Sequence, residues 1–440
     1  MELDRRTLMG SAVALAAAPA FAAKGRAVDP RFPQGFLWGA ATAGHQIEGN
    51  NVNSDCWLME NVKPTVFVER SGDAANSLEL WPVDLDLVKN LGLNTYRFSL
   101  EWARIEPEEG LFSVAMLDHY KRIIEGCRER GITPMVTFNH FTTPRWFAGA
   151  GGWTDPRSVD LFRRYCDRAA KHLAGGIGYA TTLNEPNLAG ILQAVLPPQL
   201  AEKLVAGERA MSEAAARANG GTKFLAGNAL SSDNAEAVQA NLLAGHKAGR
   251  DAIKAVRPDL PVGVSLAMFD DQAAGKNSIR DAMRAKLYGR WLEAARGDDF
   301  VGVQNYERSV WTDKGKLPPP AGAELNYAGS EVYPPSLAGA VRYAYSQAHV
   351  PVIVTEHGVG TDNDDLRARL IPAALAELKK AMDDGVPVKG YMHWSLIDNF
   401  EWIFGYGPKF GLHSLDRTTF VRTAKASAAI YGAIARRNAL

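Results

Sequence analysis

Apolar residues along this chain alternate between two periods. Short runs rich in β-branched, aromatic and small apolar residues are followed by longer stretches in which apolar positions recur every third or fourth residue. Eight short runs stand out: Phe36–Ala41, Thr95–Leu100, Thr133–Phe138, Tyr179–Leu183, Val262–Met268, Phe300–Val303, Val352–Thr355 and Gly390–Trp394. Their length and composition predict strands. Helical spacing fills most of the gaps. Leu117, Tyr120, Ile124 and Cys127 share one helix face, as do Phe162, Cys166, Ala169 and Leu173. Eight strand–helix units predict an α/β fold, a single (β/α)8 TIM barrel. A doubly wound sheet would give the same periodicity, so the alternation alone leaves both open. The stretch from Ile191 to Ala229 is Ala-rich and helical in character, and is expected to hold a longer loop over the site. No linker rich in Gly, Ser or Pro divides the chain, and no short repeat is present.

A length of 440 residues suits one large barrel or two ordinary domains, and 46% hydrophobic residues can supply a sizeable core. Lys and Arg total 49, as do Asp and Glu. With zero formal net charge, nothing electrostatic favours nucleic acid or an anionic membrane. Ten Trp residues are many for this length. Most such rings serve as core, but flat apolar faces also stack on sugar rings. Cys56, Cys127 and Cys166 form no metal-like or disulfide pattern, and Cys127 and Cys166, on the apolar stripes of predicted helices, read as buried thiols. Near the N-terminus, Arg5-Arg6 precedes an apolar stretch, Ala12 to Ala18, and a small-residue cleavage pattern, Ala20-Phe21-Ala22. This predicts an export signal over residues 1–23, of the twin-arginine type or an ordinary Sec type, with the barrel over 24–440 and a periplasmic location. The apolar run is too short for a comfortable membrane span, so no stable membrane insertion is expected.

A TIM barrel presents its chemistry at the C-terminal ends of its strands. His140 follows the third run, Asn184-Glu185 the fourth, Tyr306 the sixth and Glu356 the seventh, and Trp394 to Trp402 lead out of the eighth. A carboxylate at a strand end is costly to bury unless it is paired or functional. Either glutamate alone could form a rim salt bridge. Two together supply what glycosidic bond cleavage requires: one group to protonate the leaving oxygen, another to attack the anomeric carbon or activate water.

Longer motifs reinforce this reading. Phe32-Pro33-Gln34-Gly35-Phe36-Leu37-Trp38-Gly39-Ala40-Ala41-Thr42-Ala43 leads to Gln46 and Glu48-Gly49. Asn94-Thr95-Tyr96-Arg97-Phe98-Ser99 is followed by Trp102 and Arg104. Asn184-Glu185-Pro186 closes the stretch that begins at Thr154. Near the C-terminus stands Trp394-Ser395-Leu396-Ile397-Asp398-Asn399-Phe400-Glu401-Trp402. In all of these the chain resembles glycoside hydrolase family 1, the β-glucosidase and β-galactosidase family, collinearly from about Phe32 onward. The resemblance implies a retaining β-glycosidase acting on terminal β-D-glucosyl residues. It implies Glu185 as acid/base and Glu356 as nucleophile, about 5–5.5 Å apart as retention requires. Asn184 would bind the sugar 2-hydroxyl, Arg97 would keep Glu356 ionised, and Tyr306 would hydrogen-bond it. Gln46, His140, Asn184, Glu401 and Trp402 match the polar clamp on the nonreducing-end sugar. Trp394 matches the platform beneath it, and Phe410 joins the substrate-binding set.

Some positions depart from the family pattern. His357 stands where an Asn usually follows the nucleophile. Gln304 replaces the Asn two residues before Tyr306. The region Asn76 to Trp81 lacks the usual Asp, His and Tyr, and the segments Ile191–Arg217 and Asp313–Tyr333 match poorly. These departures bear on the aglycone side and on fine sugar preference. A carboxylate at Glu401, where phospho-glycosidases carry Ser, and Pro408, where they carry Lys, argue against phosphorylated sugars. Glu185, where plant thioglucosidases carry Gln, argues against that subgroup. Glu401 and Trp402 are compatible with glucose, galactose or fucose. A transglycosylase would use the same carboxyl pair, and a noncatalytic sugar-binding protein is the reading from another class. The expected partner is a small-molecule β-glycoside. With no HExxH, phosphate loop or nucleotide fingerprint, no metal or organic cofactor is implied. Oligomeric state is not legible.

Overall fold

Each of the eight runs forms a barrel strand: β1 (Leu37–Ala41), β2 (Thr95–Ser99), β3 (Thr133–Asn139), β4 (Tyr179–Asn184), β5 (Val262–Ala267), β6 (Phe300–Asn305), β7 (Val352–His357) and β8 (Val388–Trp394). The computed structural model describes residues 29–227 and 234–440. The expected export signal lies outside the described residues. Two units are distinguished, Met1–Pro30 and Arg31–Leu440, and the second holds the whole barrel. All neighbouring strands are parallel, and β1 pairs with both β8 and β2. That closure decides for the TIM barrel over the doubly wound sheet. β6 and β7 run two residues beyond their apolar runs. Hydropathy stops at Val303 and Thr355, but the backbone ladder continues through Gln304, Asn305, Glu356 and His357.

Side chains alternate across the barrel wall. Trp38, Ala40, Tyr96, Phe98, Val136 and Val301 point outward into the main core. Leu37, Met135, Phe300, Ile353 and Met392 point inward and fill the barrel. The outer layer comprises α1 (Ser77–Asn90), α2 (Val114–Glu129), α3 (Ser158–Leu173), α4 (Leu188–Val195), α5 (Pro198–Ala218), α6 (Ala235–Val256), α7 (Ser336–Ala348), α8 (Asp364–Asp383) and α9 (Ala426–Arg437), with shorter helical turns between. On α3, Leu161, Phe162, Tyr165, Cys166 and Ala169 are buried at three-to-four-residue spacing, the stripe a core-facing helix requires. The Ser113 hydroxyl caps α2 by accepting from the Met116 amide. All three cysteines are buried and unpaired by disulfide.

The stretch that begins at Ile191 is helical, as its composition suggests, contributing most of α4 and all of α5; from Asn219 the described chain continues without helix to residue 227. Met211, Ala215 and Ala216 of α5 pack on Met59, Ala148 and Phe224, a satellite core separate from the barrel. Two short ladders have no signal in the hydropathy pattern. Asp270–Ala273 pairs with Arg308–Trp311, and His413–Leu415 with Arg422–Ala424. Each strand is too short, and too rich in polar residues, to stand out.

Gly39 of β1 sits between β2 and β8. A Cβ there would lie 2.2 Å from Met392 Sδ and 2.7 Å from the Thr95 carbonyl oxygen. Gly39→Ala is therefore expected to lower stability by about 1–3 kcal/mol, the usual cost of overpacking, read as a shift in the urea midpoint. An unchanged midpoint would mean that the β1–β2 spacing is not constrained.

Candidate active site

The two glutamates face the same space because two strands break their alternation just before reaching it. On β4, Ala180 belongs to the outer core, and the Thr182 hydroxyl meets His246 Nδ1 of α6 at 2.7 Å. Strict alternation would send Asn184 outward as well. Opposite β5, however, Thr181 is level with Gly263 and Asn184 with Ser265, so β4 carries one extra residue. On β7, Val352 and Val354 also belong to the outer core. Opposite β6, Val303 is level with Val354, and Gln304 with Glu356, again one residue in excess. An inserted residue reverses the facing of every later residue on its strand. Asn184 and Glu356 thus turn inward. Glu185 comes next in a left-handed conformation, φ 43°, its N–H donating to the Ser265 carbonyl at 2.8 Å. Such a backbone is uncommon for a non-glycine residue and is held by its surroundings.

The inward groups form one hydrogen-bonded cluster. Arg97 Nη1 meets Glu356 Oε1 at 2.5 Å, and Arg97 Nη2 donates to Asn184 Oδ1 at 2.6 Å. Gln304 Nε2 reaches both Glu356 Oε1, at 2.8 Å, and Asn184 Oδ1, at 2.7 Å. Tyr306 donates its hydroxyl to Glu356 Oε2 at 2.7 Å. Asn184 Nδ2 lies 3.2 Å from His140 Nε2. Since Nδ2 can only donate, His140 Nε2 accepts and Nδ1 carries the proton. That Nδ1 has no protein partner and is free to meet a ligand hydroxyl.

The two carboxyls experience different fields. Burial raises both above the ordinary glutamate value. For Glu185 the Glu356 charge adds to burial, and only Arg97 opposes, so its pKa rises well above the usual range. For Glu356, Arg97 and the Tyr306 hydrogen bond counter burial directly, and a smaller net rise remains. Arg97 acts on Glu356 in the expected direction, but burial outweighs it. These unequal fields favour the proton on Glu185 over Glu356. Burial and Arg97 hold His140 neutral, well below the usual histidine range.

The remaining expected residues surround this pair. Trp394 and His140 stack at 5.8 Å with an 18° interplanar angle, and Trp402 stacks on His140 at 6.1 Å and on His45 at 5.8 Å. Trp394 Nε1 donates to Glu401 Oε1 at 3.3 Å. Gln46 Nε2 is held by Asn399 Oδ1 and the Phe400 carbonyl, while its Oε1 has no protein partner. Phe410 sets its ring edgewise to Tyr306 at 5.7 Å. Every expected site residue is thus accounted for at this end of the barrel. Gln304, read from sequence only as a departure, proves to be a central member of the cluster. His357, the other departure, turns away: its Nδ1 meets the Tyr391 hydroxyl at 2.8 Å, and burial lowers its pKa to about 3. Among the described residues, no group of three His, Cys, Asp or Glu side chains could hold a metal.

Comparison with known proteins agrees with this geometry. The model for "Glycosyl hydrolase family 1" matches residues 28–285 and 323–440. The chain is 30% identical to a β-glucosidase of Agrobacterium sp. (strain ATCC 21400), covering 92% of this chain and 95% of that one. It is 27% identical to a β-galactosidase of Pyrococcus woesei, covering 88% and 93%. Among solved structures it superimposes on a β-glycosidase with 48% identity and a TM-score of 0.86, covering 93% of this chain and 98% of that one. A β-glucosidase in its apo form gives 40% identity and a TM-score of 0.87, covering 92% and 98%. With a family match across most of its length and a closed eight-stranded barrel to carry it, the chain belongs to glycosyl hydrolase family 1.

Proposed function

We propose that this protein hydrolyses terminal nonreducing β-D-glucosides, with β-galactosides and β-fucosides as related substrates, by double displacement with retention. The supporting observation is the unequal pair: Glu356 beside Arg97 and Tyr306, and Glu185 with burial and a neighbouring negative charge both favouring its proton. In this reading Glu185 protonates the glycosidic oxygen as Glu356 attacks the anomeric carbon. The C–O bond to the aglycone breaks, and a glycosyl ester forms on Glu356. Esterification removes the negative charge beside Glu185, so the Glu185 pKa falls and its carboxylate can accept a proton from water. That water attacks the anomeric carbon and releases the β-sugar. Asn184, with its carbonyl oxygen occupied by Arg97 and Gln304, presents its amide to the 2-hydroxyl. Gln46 Oε1, His140 Nδ1 and Glu401 supply further polar contacts over the Trp394 face.

Export to the periplasm belongs to the same proposal. It rests on the paired arginines, apolar stretch and cleavage pattern of residues 1–23. Proteolytic maturation after residue 22 or 23, read by N-terminal sequencing of secreted protein, is its direct test.

Three outcomes are expected. Glu356→Gly should lose hydrolysis by several orders of magnitude, on the order of 10⁴-fold or more, yet form the α-glycosyl azide from an activated β-glucoside in azide. A β-azide would assign the nucleophile elsewhere. Glu185→Ala should retain turnover of dinitrophenyl glycosides while losing alkyl glycosides by about 10²–10⁴-fold. Equal losses on both would remove the acid role. For the intact enzyme, kcat/KM should be bell-shaped in pH. Glu356 must be ionised, so activity falls as pH drops through its pKa. Glu185 must be protonated, so activity falls as pH rises through its own, raised value. The alkaline limb should disappear in Glu185→Ala assayed with a dinitrophenyl glycoside.

A further inference from the structure

Beyond the sugar site lies a second space, a cleft of about 1190 Å³, part of it open to solvent. It is continuous with the site: Glu401, Trp402 and Phe410 line it, and Phe141 lines both it and the small recess beside Asn184 and Glu185. Its walls are apolar. Leu188 and Leu192 of α4, with Leu204 and Met211 of α5, form one side. Met59, Val66 and Phe67 form another. At the rim, Tyr327 and Phe404 are each about half exposed, at 52% and 51%, with ring centroids 6.4 Å apart and 75° between planes. Polar groups in the lining beyond the sugar site are few. Asn326 already uses its side-chain oxygen to accept from the Ser330 amide, and Glu208 already has an interaction partner within the protein.

The segments Ile191–Arg217 and Asp313–Tyr333, which resemble the family pattern poorly in sequence, supply Leu192, Leu204, Met211 and Tyr327 to these walls. A second sugar in this cleft would bring several hydroxyls against leucine, methionine and phenylalanine side chains. Each buried hydroxyl without a partner carries a desolvation cost that the wall does not offset. An apolar group gains from the same surface with every methylene it removes from water.

Resting on the proposed glycosidase reading, we propose that this cleft receives the aglycone and selects glycosides of extended apolar alcohols over oligosaccharides. Leu192, Leu204, Tyr327 and Phe404 are the specificity-determining side chains.

The test measures binding apart from turnover. Hexyl and methyl 1-thio-β-D-glucosides resist hydrolysis and differ only in five methylenes. Calorimetry on the intact protein should find the hexyl compound bound more tightly on the order of 30-fold, with a more negative heat capacity change. Leu192→Gln with Leu204→Gln should reduce that ratio about tenfold. Tyr327→Ser with Phe404→Ser, on the exposed rim, provides an independent pair should the helical variant fold poorly. A ratio near one in the intact protein, a ratio unmoved by either folded pair, or cellobiose hydrolysed with a higher kcat/KM than hexyl β-D-glucoside would each overturn the proposal. Hydrolysis of p-nitrophenyl β-D-glucoside is followed in parallel. Its absence with the hexyl preference intact would count against the glycosidase reading alone, and its presence with equal affinities against the cleft alone.

Discussion

The site is organised around one buried ion pair. Arg97, fully buried inside the barrel, requires an anion, and Glu356 supplies it at 2.5 Å. Removing one partner of such a pair leaves an uncompensated charge and costs about 3–5 kcal/mol. The guanidinium does more than neutralise. Its second nitrogen fixes Asn184, Asn184 orients His140, and Gln304 ties Asn184 back to Glu356. One cation on β2 thus sets the position of groups on β3, β4, β6 and β7. It also biases the protons: Arg97 favours the charge on Glu356, and that charge in turn favours the proton on Glu185.

That arrangement requires polar groups to face inward at the end of strands whose earlier outward residues serve the hydrophobic core. The extra residues on β4 and β7 solve this locally. Below them, Ala180, Val352 and Val354 pack against helices. Above them, Asn184 and Glu356 face the barrel interior and meet Arg97. The same two strands therefore serve stability at one end and chemistry at the other, with a one-residue offset as the boundary.

Recognition divides between two kinds of surface. The inner end is hydrogen-bonded and polar, built from strand ends and from the segment after β8, where Glu401 and Trp402 meet Trp394 and His140. The outer cleft is built from helices inserted after β4, from the segment around Tyr327, and from the turn at Phe404. The helix α5 packs in a core separate from the barrel wall, with Met211 in one cluster with Met59 and Phe224.

Much of this was legible in the chain itself. Eight apolar runs marked the eight strands because buried parallel strands need continuous apolar sequence. The residues after runs three, four, six and seven gather at one end of the barrel, where a fold of this kind presents functional groups. Cys127 and Cys166 read correctly as buried thiols. Other features depended on neighbours that no local pattern contains. Gln304 looked like a substitution, yet its amide bridges Glu356 and Asn184 only because β6 lies between β5 and β7. His357, adjacent to the nucleophile, faces Tyr391 because of the extra residue in β7. The stretch after Ile191 read as helical in character and is helical, but the cleft that Leu192 and Leu204 line was not legible, because its other walls come from residues as distant as Met59 and Phe410. Periodicity and composition determine which segments become strands and where carboxylates end them. Register, closure and the facing of each side chain are set by hydrogen bonds between distant strands, and those exist only in the folded barrel.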